Sequence, residues 1–304
     1  MLRVWMRAGL VLMALFTGIG LVVSKAWGWS EYASDDLYVV YASYMGITSY
    51  FSVKVNDAPD EGALLTWDKA EITALDCSPD GRRLAILTDT GHVGIVTAAG
   101  MVENTPEDQG YDQVSVANDG TVALFNMETG DLRIGTTTMN LPVPAQQISD
   151  NFIDMASQGF ALWEKGVDDT ELLSLASGEV VLSLPFTGGG QWLASENIFA
   201  FNYGLFSDED AGKPSGWYLA DAATHETVRI NEWSISSPFS PDGTKTANVV
   251  ILDGLQQREQ IGVFGAFAPH DFAQARVLTS NPDISHFPLC FLTFRPQRLI
   301  GASP

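Results

Sequence analysis

The stretch that decides the fold reads Ile72-Thr73-Ala74-Leu75-Asp76-Cys77, then Ser78-Pro79-Asp80-Gly81, then, after two arginines, Leu84-Ala85-Ile86-Leu87. Proline presets φ for the second position of a tight turn, and Gly adopts the positive φ that ends it. Asp accepts hydrogen bonds from nearby backbone amides. Short apolar runs on both sides of such a turn are typical of a β-hairpin. We interpret Asp80, and Asp119 and Asp242 in related turns, as turn residues on solvated loops.

The same turn signature returns along the chain. It recurs at Ala117-Asn118-Asp119-Gly120, at Ser240-Pro241-Asp242-Gly243 and, in a shorter form, at Arg295-Pro296-Gln297. A hairpin unit that recurs roughly every 40 residues is typical of a β-propeller. The predicted fold is therefore all-β: a propeller of about six four-stranded blades, with seven left open, preceded by one N-terminal hydrophobic helix. An open β-sandwich is the alternative architecture.

The two ends of the chain are predicted to share one blade. The last repeat begins near Pro288 and stops after two strands, while the first three predicted strands belong to no repeat. Those strands are Leu37–Ser43, Tyr50–Val55 and Ala63–Trp67. Joining both ends in one blade removes exposed edge strands. The predicted domains are a signal segment at 1–27, a linker at 28–36 and a propeller at 37–304, its ring closed by the N- and C-terminal strands.

The first hairpin and its surroundings resemble one repeat of a WD40 or TolB-like β-propeller. The residues that carry the resemblance are Trp67-Asp68, Ile72-Thr73-Ala74-Leu75, Ser78-Pro79-Asp80-Gly81 and Arg82-Arg83-Leu84-Ala85. Further similar stretches are Ser240-Pro241-Asp242-Gly243, Phe294-Arg295-Pro296 and Leu299-Ile300-Gly301. The Trp-Asp ending occurs once, and the Gly-His pair occurs only as Gly91-His92. The resemblance implies a binding platform, and it carries over no catalytic residue.

The N-terminal segment has the pattern of an export signal. Arg3 and Arg7 precede an apolar run that extends over residues 8–24, and Lys25 follows it. This arrangement predicts either a retained signal anchor or a signal peptide cleaved near Ala26. The two arginines place the N-terminus in the cytoplasm by the positive-inside rule. Both alternatives predict an extracytoplasmic body, anchored in the membrane or released as a secreted or periplasmic protein.

The remainder of the chain is strongly acidic. The whole sequence has 16 Lys and Arg against 37 Asp and Glu, a net charge of −21. The first 27 residues hold three of the basic residues and no acidic one, which leaves a net charge of −24 on the rest. Such a body repels phosphate backbones, so nucleic-acid binding is excluded as a function. The charge favours cationic partners, or serves only to keep the protein soluble.

Cys77 and Cys290 are the only two cysteines. In an exported chain such a pair suggests a disulfide. If Arg295-Pro296-Gln297 aligns with Ser78-Pro79-Asp80, however, Phe294 is the counterpart of Cys77, and Cys290 lies four residues earlier. Four strand residues correspond to roughly 13 Å, which is beyond the reach of a disulfide. We therefore predict two buried free thiols.

No local motif for catalysis, cofactor binding or metal binding is present in the sequence. The four histidines, His92, His225, His270 and His286, lie too far apart for a local zinc motif. Gly188-Gly189-Gly190 is interpreted as a flexible joint before a strand. The acidic loop from Ser207 to Gly212 begins like a calcium loop but lacks its later ligand positions. We assign no catalytic, cofactor or metal residue and no cofactor.

The predicted function is that of a protein-binding or scaffolding module, extracytoplasmic and either tethered to the membrane or released. The partner is expected to be an unidentified protein, with membrane contact through the N-terminal segment if that segment is retained. One alternative is a propeller enzyme, such as a hydrolase, lactonase or lyase, with its site at the mouth of the central channel. Another is a sensor that binds a small ligand.

Overall fold

The computed structural model describes most of the predicted propeller. The described residues are 36–43, 50–54, 63–65, 70, 72–104, 110–142, 151–157, 159–165, 169–185, 187–203, 214–230, 238–251, 259–266, 276–278 and 286–295. Within these ranges the chain forms strands, turns and bends, and no helix. The predicted N-terminal helix, linker residues 28–35, Trp67-Asp68 and Leu299-Ile300 lie outside the described residues.

Twenty-three strands are found in the described ranges. In chain order they are β1 (Tyr38–Ser43), β2 (Tyr50–Lys54), β3 (Ala63–Leu65), β4 (Ile72–Cys77), β5 (Leu84–Thr88), β6 (Val93–Thr97), β7 (Gly100–Asn104), β8 (Gln113–Val116), β9 (Val122–Phe125), β10 (Asp131–Ile134), β11 (Thr137–Asn140), β12 (Asn151–Ala156), β13 (Phe160–Lys165), β14 (Asp169–Ser174), β15 (Glu179–Pro185), β16 (Thr187–Trp192), β17 (Ile198–Tyr203), β18 (Gly216–Asp221), β19 (Thr227–Arg229), β20 (Lys245–Ile251), β21 (Glu259–Gly265), β22 (Arg276–Val277) and β23 (His286–Leu292).

These strands form six antiparallel sheets arranged as a β-propeller. Four sheets each contain four strands that are consecutive in the chain, namely β4–β7, β8–β11, β12–β15 and β16–β19. A three-stranded sheet comprises β20–β22, and Phe239 adds an isolated bridge to Thr246 at its inner side. The sixth sheet has the order β23-β1-β2-β3, so the last described strand pairs with the first, and Tyr38 lies opposite Leu292.

The hydrophobic core lies between neighbouring sheets. The largest fully buried side chains include Trp163, Trp192 and Trp217. Trp217, for example, packs edge-on against Phe239 of the next sheet, with ring centroids 4.8 Å apart. Each sheet therefore buries its two faces against its neighbours, as expected when wedge-shaped blades pack around an axis.

The two Ser-Pro-Asp-Gly turns have the same hydrogen bonds. In each, the Ser hydroxyl donates to the Asp carboxylate at 2.6 Å, from Ser78 to Asp80 and from Ser240 to Asp242. A backbone N–H two residues beyond the Asp donates to that same carboxylate at 3.0 Å. The turn chemistry is as predicted, but the expectation of solvated loops is wrong for Asp80 and Asp242, which are 8% and 5% exposed. Asp119 is exposed as expected.

The loss of stability on substituting Gly81 measures how closely this turn packs against its neighbours. Gly81 has φ +67°, and a Cβ placed there would lie 3.0 Å from Phe291 O, 3.0 Å from Pro241 Cγ and 3.2 Å from Thr293 N. Backbone strain and overpacking together should make Gly81→Ala lower the free energy of unfolding by about 2–4 kcal/mol. The matched control is Gly178→Ala, which has φ +70° and nothing within 4 Å. Equal losses for both variants in urea denaturation would contradict close packing at Gly81.

The prediction of a flexible joint at Gly188-Gly189-Gly190 is wrong. These glycines lie within β16, where the register of pairing with β17 shifts between Gly188 and Gln191. A Cβ on Gly190 would lie 3.1 Å from Thr170 Cγ2 and 3.4 Å from Leu162 Cδ1. The absence of a side chain at Gly190 thus lets β16 approach the neighbouring sheet closely.

The prediction of two free thiols is also wrong. Cys77 and Cys290 form a disulfide, with their Cα atoms 5.9 Å apart. The predicted register placed the end of the last strand near Phe294, but β23 ends at Leu292, so Cys290 lies only two residues from the end of its strand. The remaining difference corresponds to a stagger between neighbouring inner strands. For example, Val116, the last residue of β8, donates to Asp76, the penultimate residue of β4.

Candidate binding site in the central channel

The hairpin turns at one end of the inner strands contact one another around the axis. Asp80 N–H donates to Asn118 Oδ1 at 2.7 Å, and Asn118 Nδ2–H donates to Ala194 O at 2.8 Å. Ala194 N–H donates to Pro241 O at 3.1 Å. On the other side, Thr293 N–H donates to the carbonyl of Gly81 at 2.8 Å. These contacts form a floor across the channel.

Glu196 joins three turns of this floor. Its Oε1 accepts hydrogen bonds from Asn118 N–H at 2.8 Å and from Ser157 N–H at 3.1 Å, and its Oε2 accepts one from the Ser157 hydroxyl. The residue is 4% exposed and has φ 53°. The side chain therefore links turns of three successive sheets, and the backbone adopts an uncommon conformation to place it there.

A cavity of about 650 Å³, partly open to solvent, lies against these turns. Ser78, Pro79 and Pro241 line it on the side of the turns. Asp112, which is exposed, lines it from the opposite end of the inner strands, and Leu289, which is 38% exposed, lines it from β23. The volume falls within the range of about 300–1,000 Å³ that is usual for ligand pockets.

Side chains on the channel wall connect four pairs of neighbouring inner segments, from β4 through β8, β12 and β16 to Phe239. Asp76 accepts a hydrogen bond from Val116 N–H, and Asp154 accepts one from Trp192 N–H. The remaining links of this kind run from Ile153 N–H to Gln113 Oε1, from Met155 N–H to Ser115 Oγ and from Phe239 N–H to Gln191 Oε1. The partners in these links are 38 to 48 residues apart. Between β23 and β4 the disulfide joins the inner strands instead.

Asp76 has a raised pKa. Burial, which disfavours the charged form, raises the pKa of this carboxyl to about 7, while hydrogen bonds from Val116 N–H, the Ser115 hydroxyl and Cys77 N–H act in the opposite direction. A carboxyl group that titrates near neutral pH is uncommon and is often found at functional sites.

Asp154 is a second such carboxyl on the channel wall. Burial is the largest cause that raises its pKa well above the usual range, and the charges of Asp76, Glu164 and Glu196 raise it further. The hydrogen bond from Trp192 N–H, at 2.9 Å, lowers the pKa but does not offset burial. Asp76 and Asp154 thus each disfavour ionisation of the other, and a proton is retained more readily by the pair than by either alone.

These raised pKa values predict an unusual pH dependence of stability. Because the folded protein holds protons that the unfolded chain releases, the stability contributed by Asp76 is fully present below pH 3.8 and is lost as the pH rises through about 7. Asp76→Asn keeps an acceptor for Val116 N–H, so we expect a smaller fall in melting temperature over that interval than in the unmodified protein. Asp119→Asn removes the same charge from an exposed turn and should leave the slope unchanged. An unaltered slope in Asp76→Asn would contradict the raised pKa.

The residues considered for metal binding are not brought together. His92 is half-buried beside Thr88, and His225 lies in the exposed turn between β18 and β19. His270, the side chain of His286 and the acidic loop 207–212 lie outside what the structure describes. Among the described residues, no group of three or more His, Cys, Asp and Glu side chains is placed to hold a metal ion. Nor does the described part of the chain contain a helix long and apolar enough to cross a membrane.

Sequence reasoning missed Asp76 and Asp154, although a signal was present. Each lies two residues before the first residue of a hairpin turn, within a mostly apolar strand. Ser115 and Gln191 occupy the equivalent position in their repeats. A polar residue that recurs at one position of a buried inner strand indicates a channel-facing row.

No protein-family model and no curated protein matches this chain. Among solved structures, TolB from Acinetobacter baumannii matches with a TM-score of 0.54 and 11% identity, over 84% of this chain and 66% of that one. A putative TolB from Agrobacterium tumefaciens matches at 0.46 and 13%, over 86% and 99% of the two chains. The Cps50 (Swd1) β-propeller domain of Myceliophteria thermophila matches at 0.44 and 12%, over 80% and 87%.

The match to Acinetobacter baumannii TolB bears on the fold alone, because so few residues are identical. This chain spans just under two thirds of the length of that TolB. The predicted resemblance to a TolB-like propeller is thereby confirmed for the architecture.

Proposed function

We propose that this chain is an extracytoplasmic β-propeller that binds a protein partner at the mouth of its central channel. The observation that carries the proposal is the cavity of about 650 Å³, which is bounded by hairpin turns and partly open to solvent. Its lining includes the exposed apolar side chain of Leu289 and the exposed Asp112. Apolar and charged groups around a concave surface are typical of a binding site.

The proposed location outside the cytoplasm rests on two independent observations. Residues 1–27 have the pattern of a signal anchor or signal peptide, followed by a linker at 28–36 and the propeller at 37–304. The Cys77–Cys290 disulfide adds support, because disulfides persist mainly in oxidising compartments. We propose that the N-terminal segment either tethers the propeller to the membrane or is removed after export.

We further propose that the propeller has six blades, one for each sheet. The three strands β20–β22 form one blade together with a short inner segment around Phe239, which bridges to Thr246. The pairing of β23 with β1 supplies the closing blade. With this count, every inner strand borders the channel that holds the proposed site.

Site-directed photo-crosslinking tests the proposed binding face. A photo-crosslinking amino acid replaces either Leu289, which lines the cavity and is 38% exposed, or Val102, which is 68% exposed on the outer strand β7. In the native membrane and its surroundings, the Leu289 variant should yield a discrete protein adduct, identified by mass spectrometry, and the Val102 variant should not. The same adduct from both positions, or none from Leu289, would overturn the proposed face.

An enzymatic function is the second candidate, and the raised pKa of Asp76, about 7, is the observation that favours it. Neighbouring carboxyl groups with raised pKa values, such as Asp76 and Asp154, are suited to general acid and base roles. The test is hydrolysis of a panel of esters, lactones and glycosides by the full-length chain. Activity that Asp76→Asn and Asp154→Asn each abolish, and Asp119→Asn preserves, would support this candidate over a purely binding role.

A further inference from the structure

We propose that the channel cavity receives a basic side chain, Lys or Arg, of an extended segment of the protein partner. This inference rests on the proposed function and adds the chemistry by which the site recognises its partner. The observation that supports it is the lining of the cavity. All of its described ionisable residues are acidic, and they come from three different sheets.

The cavity is lined by acidic side chains. Asp76, Asp112, Asp154 and Glu164 line it, and no Lys, Arg or His is found among the described lining residues. Carboxylates that share a low-dielectric cavity repel each other, and a cation placed between them removes that penalty. The favourable interaction with a cation is larger here than on the exposed surface, because solvent screens it less.

The shape and polarity of the wall favour an organic cation on an apolar stem. Asp112 lies at the mouth, and Asp76 and Asp154 lie deeper, on β4 and β12, on either side of β8. Apolar groups, including Leu162, Trp192 and Phe239, complete the wall. A Lys or Arg side chain buries its methylene groups against such a surface while its charged head reaches the carboxylates.

Proton release gives the proposed site a signature of its own. Burial raises the pKa of Asp76 to about 7 and that of Asp154 well above its usual range, whereas a bound cation favours the ionised form of both. Binding of a basic side chain should therefore expel protons into the buffer. The ionisable groups that face the cavity are Asp76, Asp154, Asp112 and Glu164, and the charge of Glu196 acts on Asp154 from the floor.

The experiment is calorimetric titration of the full-length chain with three capped pentapeptides. Each has four alanines and one central residue, which is lysine, arginine or the uncharged norleucine. The lysine and arginine peptides should bind, with a heat that depends on the ionisation enthalpy of the buffer, and the norleucine peptide should bind at least tenfold more weakly. Asp154→Asn, which keeps an acceptor for Trp192 N–H, should weaken lysine-peptide binding about tenfold. Asp119→Asn, with the same charge change on an exposed turn, should leave the affinity unaltered.

Several results would overturn the inference, and three of them come from these titrations. The first is equal affinity for the norleucine and lysine peptides. The second is that Asp119→Asn and Asp154→Asn weaken binding of the lysine peptide equally. The third is that calcium chloride alone saturates the cavity while the lysine peptide does not bind. Free agmatine and spermidine serve as competitors. If either binds at least tenfold more tightly than the peptides, the cavity selects a small amine and the assignment to a partner side chain fails.

The photo-crosslinking result separates failure of this inference from failure of the proposed function. A Leu289 adduct that persists undiminished in Asp76→Asn and Asp154→Asn overturns the basic-side-chain inference and leaves docking at the mouth intact. Specific binding of the lysine peptide without any Leu289 adduct supports the cavity chemistry but contradicts the proposed protein-binding function.

Discussion

Replacing both Cys77 and Cys290 with alanine is expected to produce the largest loss of stability of any substitution considered, about 5 kcal/mol. The disulfide closes a loop across a sequence separation of 213 residues, and its removal restores that much chain entropy to the unfolded state by the loop-closure relation. It also ties β23, the last described strand, to β4 of the neighbouring sheet. Denaturant unfolding, followed by tryptophan fluorescence, measures the change.

Reduction of the unmodified protein is the matched control for this prediction. A dithiol reductant breaks the cross-link while leaving both sulfur atoms in their buried positions, so the reduced protein should lose most of the stability that the double variant loses. If the oxidised, reduced and doubly substituted proteins unfold at the same denaturant concentration, the disulfide does not constrain the ring.

Glu196→Ala is expected to have the second largest effect, a loss of about 3–5 kcal/mol. The substitution removes the acceptor for Asn118 N–H, Ser157 N–H and the Ser157 hydroxyl, three hydrogen bonds that are partly buried. Each buried donor left without an acceptor costs about 1–3 kcal/mol. Because those donors belong to two other hairpin turns, the loss should also loosen the contacts that close the channel.

Two control variants separate this linking role from a general effect of charge. Glu196→Gln keeps a carbonyl acceptor for the two backbone donors and should lose about 1 kcal/mol. Glu128→Ala removes an exposed carboxylate and should change the free energy of unfolding by less than about 0.5 kcal/mol. Amide hydrogen exchange at Asn118 and Ser157 should accelerate in Glu196→Ala only. Protection that is unaltered at both amides would contradict the proposed link.

Local interactions explain why so much of the fold was predictable. The Ser78 hydroxyl, the Asp80 carboxylate and the positive φ of Gly81 lie within four residues, so the turn follows from its own side chains. The same logic applies at Ser240-Pro241-Asp242-Gly243, and the spacing between such turns indicated repeated sheets. Strand boundaries near the turns were therefore predicted well, and the fold class was predicted correctly.

The candidate site was less predictable, because its properties arise between repeats. Asp76 is one polar residue in an apolar strand until Val116 and Ser115, some 40 residues later, supply its hydrogen bonds. The repulsion between Asp76 and Asp154 requires two strands to be placed around one cavity. The polar row along the inner strands was visible in the sequence, but without the ring nothing indicated that these side chains share a channel.

The sequence by itself determined the all-β class, the hairpin turns and the acidic charge, since each depends on neighbouring residues or on composition. Only the tertiary structure decided that Cys77 is bonded to Cys290, that Glu196 links three turns and that Asp76 and Asp154 line one cavity. The physical reason is distance along the chain. Turn geometry is set within four residues, whereas the register between sheets and the burial of a charge are set by packing between strands that ring closure brings together.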